Sequence, residues 1–350
     1  MKLFACPNCV ARIYFENSRC LTCGSSIVYS PHEAEFLLLG SPGGFSCRNM
    51  TDCACNWAPD ADGEFCIACS LNRTIPNLGI EGNRERWTRI EEAKKRLVYS
   101  LLGFDLDVIP KLHPDDEIGI AFDLVEDDPN LAGKVMTGHD NGLITLDVAE
   151  ADPAAREQMR IEMGENYRTL LGHFRHEIGH YYWDRLIRDA HWLDGFRSLF
   201  GDERADYAQA LQDHYDNGPP QGWQESHISF YAASHPWEDW AETWAHYLHI
   251  TDTLEMAHSL KIPLRKLDTQ RGDDLEERLE AQQPSGGADF KVILARWLAL
   301  SEAANSINRC MGLQDFYPFV ISPAVEAKLG FVHEVLSETG RARAAEPVAA

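Results

Sequence analysis

The sequence predicts an α+β chain, with a cysteine-rich N-terminal module, then a small antiparallel or mixed sheet, then a mainly helical remainder. Three observations carry this. Nine of the ten cysteines precede residue 70. Strand-like apolar runs cluster between Ile118 and Val148. From Asp152-Pro153 onward, apolar residues recur at helical spacing. This order of elements is that of an α+β protein.

Each element has a local cause. Asn83 is an N-cap candidate for a helix carrying Trp87, Ile90, Leu97 and Leu101 on one face. Strands are expected at Ile118–Val125, at Val135-Met136 and at Leu143–Val148. Asn141-Gly142 between the last two signals a hairpin, because both residues tolerate positive φ. Asp152 followed by Pro153 starts a helix well, since proline lacks only an N–H that the first turn leaves unused. Gly164 is expected to break or bend that helix before a second one runs through Leu170, Phe174, Ile178 and Tyr182. Further helices are expected over 202–215, 237–250, 252–260 and 290–311, and Gln282–Gly287 reads as a loop. The expected domains are a module over 1–75 and a second domain over 83–340.

Composition narrows the function. Lys plus Arg number 32 and Asp plus Glu 55, a formal net charge of −23. Such a surface repels nucleic acid and anionic membrane, both of which need basic residues to neutralise phosphate. No apolar run reaches the roughly eighteen residues of a membrane span. The opening Met1-Lys2-Leu3-Phe4-Ala5-Cys6 lacks the apolar core of a secretory signal, so a cytoplasmic location is expected.

Clustered thiols in a reducing compartment suit metal better than disulfides. Cys6-x2-Cys9 and Cys20-x2-Cys23 form two knuckles able to place four thiolates around one zinc. Cys66-x2-Cys69 is a third knuckle, whose mate is Cys47 with Cys55, Cys53 with Cys55, or Cys47 with Cys53. Two structural zincs are therefore expected. Residues 1–80 hold five basic and seven acidic side chains, so the module reads as a cap or a protein-docking surface, with nucleic acid disfavoured. Cys310 stands alone in an amphipathic stretch and reads as a small buried hydrophobe.

The chemistry lies in His176-Glu177-Ile178-Gly179-His180. Residues four apart share a helix face, so His176 and His180 can hold one zinc. Glu177 points about a third of a turn away. It is the expected general base, taking a proton from a water that zinc acidifies, before attack on a peptide carbonyl. The bland reading is two histidines on a solvated face. The metzincin pattern needs glycine at 183 and His or Asp at 186, and Trp183 and Leu186 exclude it.

A third ligand is expected from a later helix. In His235-Pro236-Trp237-Glu238-Asp239-Trp240-Ala241-Glu242, the E-x-x-A-E spacing resembles the E-x-x-A-D helix of glutamate-zincins. That likeness assigns Glu238 as ligand and Glu242 as the carboxylate that orients a ligand histidine; interchanged roles, or a simple dipole interaction in a first turn, remain alternatives. Glu203 and Asp206 read as a solvated helix face. His173 reads as packed or as a donor to the site, and Asp184 as a holder of the His180 tautomer. His227, Tyr231, His235 and His246 are candidates to stabilise an oxyanion. Leu143–Val148 would serve, by fold analogy, as an edge strand that pairs with an extended peptide.

With these residues assembled, the chain resembles a bacterial family of zinc-binding metallopeptidases with an N-terminal zinc ribbon. The likeness rests on Cys47…Cys55-Asn56-Trp57, Cys66-x2-Cys69 with Thr74-Ile75-Pro76, and Phe174-Arg175-His176-Glu177-x-Gly179-His180-Tyr181-Tyr182-Trp183. It extends to His235-Pro236-Trp237-Glu238-Asp239, His246-Tyr247-Leu248-His249 and Tyr317-Pro318-Phe319, nearly the whole chain. The resemblance implies a gluzincin-like, zincin-fold peptidase domain, and Cys47, Cys55, Cys66 and Cys69 as the second zinc set with Cys53 left over; the peptide or protein substrate is expected from the chemistry of His176-Glu177-x-x-His180. Two rival readings are a non-catalytic interaction scaffold built on the ribbons, and a zinc hydrolase of a non-peptide amide.

Overall fold

The computed structural model describes residues 1–126, 137–162, 168–264 and 288–344. It has two compact units, Met1–Ile178 and Gly179–Ala350. Their boundary falls inside one continuous helix, Leu170–Leu186.

The first unit begins with two hairpins, β1 (Phe4–Ala5) with β2 (Arg12–Ile13), and β3 (Ile27–Ser30) with β4 (Glu35–Leu38). Two short hairpins bury little. Here Phe4, Phe15, Tyr29, Phe36 and Trp57 pack edge-on, tilted and, for Phe4 with Phe15, stacked into one cluster, with ring centroids 5.1 to 6.3 Å apart. The short helix α1 (Ile67–Ser70) and β5 (Asn72–Thr74) follow, then α2 (Asn83–Gly103). Asn83 is the first helical residue of α2 rather than its N-cap. Gly82 takes the cap position at φ 84°, and the Asn83 amide is buried, donating to Asn77 O and Glu126 Oε1.

A four-stranded sheet in the order β5-β6-β8-β7 completes this unit, with β6 at Ala121–Val125, β7 at Gly138–Asp140 and β8 at Leu143–Asp147. The sheet is mixed: β5-β6 and β6-β8 are parallel, β8-β7 antiparallel. The hairpin is as read, with Asn141 at φ 44° and Gly142 at φ 80°. The edge assignment is corrected. Leu143–Asp147 lies between β6 and β7, so its backbone groups are engaged on both sides, and among the described residues the edges are β5 and β7. A 3-10 turn, Val148–Ala151, leads into α3 (Pro153–Glu162), where Ala154 N donates to Asp152 Oδ1. The expected elements at Val135-Met136, Gly164 and 282–287 lie outside the described residues.

α4 (Leu170–Leu186) enters the first unit through Phe174, edge-on to Phe122 at 5.3 Å. The second unit takes up α4 at Gly179 and adds α5 (Leu193–Phe200), α6 (Tyr207–Asn217), α7 (Pro236–Ser259), α8 (Phe290–Cys310) and α9 (Pro323–Ala344). Gly179 is there for a close approach: a Cβ would stand 3.2 Å from Ala241 Cα and from the Trp244 ring. The freed space lets the Trp240 indole donate to Gly179 O at 2.9 Å. Asp239 and Lys328, both buried, pair at 2.5 Å and tie α7 to α9.

Four expectations change here. The helices over 237–250 and 252–260 are one helix, α7. The helix over 202–215 starts only at Tyr207. The helices α5 and α9 add to those expected. Cys310 ends α8 and is exposed. Among the described residues, no helix is long and apolar enough to cross a membrane.

Candidate metal centres

Four thiolates at about 2.3 Å from a tetrahedral zinc stand about 3.8 Å apart. The first tetrad matches: Cys6–Cys23 and Cys9–Cys20 are each 3.7 Å apart, and all four sulfurs lie within 4.8 Å of one another. In the second, Cys47, Cys55, Cys66 and Cys69 gather likewise, with Cys55 3.6 Å from both Cys66 and Cys69. The Cys66 amide, at the N-cap of α1, donates to Cys47 Sγ at 3.4 Å, as suits a thiolate. All ten cysteines are free. Cys53 joins neither tetrad. It is buried, with its thiol 3.5 Å from Asn49 O, and groups with Cys69 and Glu91.

Behind the second tetrad sits Glu91 of α2, fully buried. Its Oε1 accepts from Asn72 at 2.9 Å, Trp87 at 3.0 Å and Lys94 at 2.7 Å, while Oε2 stands 3.9 Å from Cys69 Sγ. Burial raises this carboxyl's pKa even against the Lys94 charge.

The third group comes from α4 and α7. His176 and His180 lie one turn apart on α4. Their ring nitrogens and a Glu238 carboxylate oxygen all lie within 4.8 Å of one another, and all three residues are buried. His180 Nε2 is 3.4 Å from Glu238 Oε2. Ligands at about 2.0–2.2 Å on a tetrahedral zinc stand about 3.4 Å apart, so the donor set and spacing fit that ion. Glu177 is also buried and lies outside this group.

The sequence explains the placement of Glu238. Pro236 opens α7, and His235 caps it by accepting from Trp237 N at 3.1 Å while its Nε2 meets Ala205 O at 3.1 Å. This sets Glu238 in the first turn, and the Trp237 ring lies 3.9 Å from the His180 ring. Sequence reasoning missed Tyr207. Its hydroxyl donates to Glu238 Oε1 at 2.7 Å, while Oε2 faces His180. No sequence signal marks a tyrosine at the start of α6 as the partner of a carboxylate 31 residues on.

Several other candidates have structural work. Asp184 pairs with Arg188 at 3.0 Å rather than holding His180. Glu203 pairs with Arg197, and Asp206 caps α6. Glu242 is outside the ligand group, and its charge acts on Asp239 and His246. His246 bonds Tyr317 through Nδ1 at 2.7 Å, and burial holds its pKa down at about 4. Burial and the Lys328 charge hold His227 at about 4. Tyr231 lies in the 3-10 turn Tyr231–Ala233.

One consequence concerns Tyr207. A hydrogen bond to the non-facing oxygen of a ligand carboxylate fixes its orientation, and losing such a partner typically weakens metal binding by about 10–100-fold. Tyr207→Phe is therefore expected to weaken zinc at this centre by that order, read by competition with a chromophoric chelator. Unchanged affinity would remove Tyr207 from the centre's support.

Comparisons with known proteins give a family for each part of the chain. Residues 83–335 match the family described as "Putative zinc-binding metallo-peptidase", and residues 3–80 match a zinc-ribbon domain. Uncharacterized proteins of Mycobacterium bovis and Mycobacterium tuberculosis are each 43% identical over 342 residues, covering 97% of this chain and 96% of theirs. No solved structure matches the chain. Two cysteine tetrads at zinc spacing, followed by a domain whose helices bring two histidines and a glutamate together, are thus found in a chain that belongs to the zinc-binding metallopeptidase family so described, with an N-terminal zinc ribbon.

Proposed function

We propose that the chain is a zinc-dependent peptidase, with a structural module over 1–75 and a catalytic domain over 83–340. The observation that carries this is the convergence of His176, His180 and Glu238 beside a buried Glu177 that is not one of the three. Three protein ligands leave a zinc one open position, the mark of a catalytic rather than a structural site. Zinc held there would supply a Lewis acid that polarises the scissile carbonyl and makes water acidic near neutral pH.

The chain's own residues do the rest. Glu177 receives the proton of the attacking water on its carboxylate and returns it to the leaving amine nitrogen, so the C–N bond breaks without expelling an amide anion. Tyr207 and Trp237 hold Glu238 and His180 in place. The substrate is a peptide or protein. The thiol-rich zinc sites suit a reducing compartment, the cytoplasm, and the ribbons offer a surface for a protein partner.

Elemental analysis with peptide-library cleavage tests this. Wild type is expected to carry three zincs per chain and to cleave, and His176→Ala and Glu238→Ala to carry two and not cleave. Two zincs in all three proteins would leave only the tetrads occupied and defeat the reading.

A further inference from the structure

Glu177 has a partner that the peptidase reading does not use. His173, one turn earlier on α4, places Nε2 3.2 Å from Glu177 Oε1. Its other nitrogen, Nδ1, lies 2.8 Å from Oε2 of Glu150, in the 3-10 turn that follows β8. Glu150 is itself buried and further fixed: Thr137 Oγ1 donates to its Oε1 at 2.7 Å, and Arg168 reaches its Oε2 at 3.3 Å.

A neutral imidazole has one N–H and one lone pair, so it can donate to only one of two carboxylates and turns its lone pair on the other. Only the imidazolium donates to both. The electrostatics agree with the geometry. Burial acts to lower the His173 pKa, but the Glu150 charge and hydrogen bond, and then Glu177, outweigh it and lift it to about 9. The Glu150 carboxyl, which burial alone would raise, is brought down to about 2 by His173, Arg168 and Thr137.

We infer that Glu150 and His173 are positioning residues for the general base: His173, donating to both carboxylates, holds Glu177 through Oε1 and so fixes the orientation of the carboxylate that takes the proton of water. This rests on the peptidase reading, since a base needs positioning only if Glu177 is one. Oε1 is held by a donor on the same helix. The rotation of the Glu177 carboxylate about its own stem is thereby stopped, and the geometry of proton transfer is set before substrate arrives. Neither residue is in the ligand group of His176, His180 and Glu238, so their loss is expected to act on turnover and to leave the metal in place.

The test uses the full zinc-loaded chain and a fluorogenic peptide taken from the library screen. His173→Asn and Glu150→Gln are each expected to lower kcat, by an order of about 10²-fold for a misplaced base, with KM and zinc content unchanged. His173→Gln, which keeps an N–H donor toward Glu177, is expected to recover part of the loss. On a Glu177→Gln background, neither substitution should reduce turnover further. Long-range 15N–1H NMR near neutral pH is expected to show both His173 nitrogens protonated in wild type and one in Glu150→Gln. A neutral His173 in wild type overturns the inference, as does an undiminished kcat in both variants while wild type cleaves. An inactive wild type would be seen separately and overturns the peptidase reading together with it.

Discussion

Replacing Glu177 by glutamine is expected to lower peptide cleavage sharply while all three zincs remain bound. Glutamine fills the same volume, and its carbonyl oxygen can still accept from His173, so the helix and its packing are preserved. What it cannot do is take a proton near neutral pH. General acid–base catalysis contributes about 10²–10⁴-fold, and losses of that order are expected in kcat. KM should change little, because in the proposed mechanism Glu177 acts on water rather than on the resting substrate. Pairing turnover with zinc stoichiometry makes the outcome decisive. A variant that keeps its metal and its activity would show that some other group removes the proton, while loss of metal would make Glu177 part of the ligand set.

The second large effect is on folding. Cys66→Ser is expected to release one zinc per chain and to abolish the cooperative folding of the ribbon region. All four cysteines of the second tetrad are buried, and a zinc held there would add to the small aromatic core of so short a segment. Structural zinc in small modules supplies about 10–16 kcal/mol of apparent binding free energy. That matches the whole stability of an ordinary domain, about 5–15 kcal/mol. The loss should appear as a vanished thermal transition and collapsed near-ultraviolet dichroism from Trp57 and Trp87. Cys9→Ser is the useful contrast. Cys9 faces solvent, so one zinc should again be lost, but with a local effect. Full zinc content and an unaltered transition in Cys66→Ser would remove Cys66 from the ligands.

What the sequence made legible was whatever is decided by near neighbours. The Asn141-Gly142 hairpin, the start at Asp152-Pro153 and the i,i+4 pair on α4 are all set by residues within one turn or one loop. The position of Leu143–Asp147 in its sheet was not, because its second partner, β6, is parallel and comes from beyond the hairpin. The single long α7 was hidden by Thr251 and Thr253, which usually favour helix ends. Both hydroxyls bond back to carbonyls one turn earlier, Tyr247 O at 3.0 Å and His249 O at 2.7 Å, and so fit within the helix. The site was legible where a motif fixes it, in His176, Glu177 and His180. It was illegible where support comes from distant elements, as with Tyr207 on Glu238 and Glu150 on His173.

The arrangement of Cys53 has a consequence for assembly. Cys47, Cys53, Cys55, Cys66 and Cys69 offer five sulfurs to an ion with four coordination positions, and Cys53 groups with Cys69 of the second tetrad. Five sulfurs allow five different quartets, so the set that closes is chosen by the fold rather than by the composition. The contact of Cys53 with the Asn49 carbonyl occupies the fifth thiol, while the other four sulfurs lie within 4.8 Å of one another.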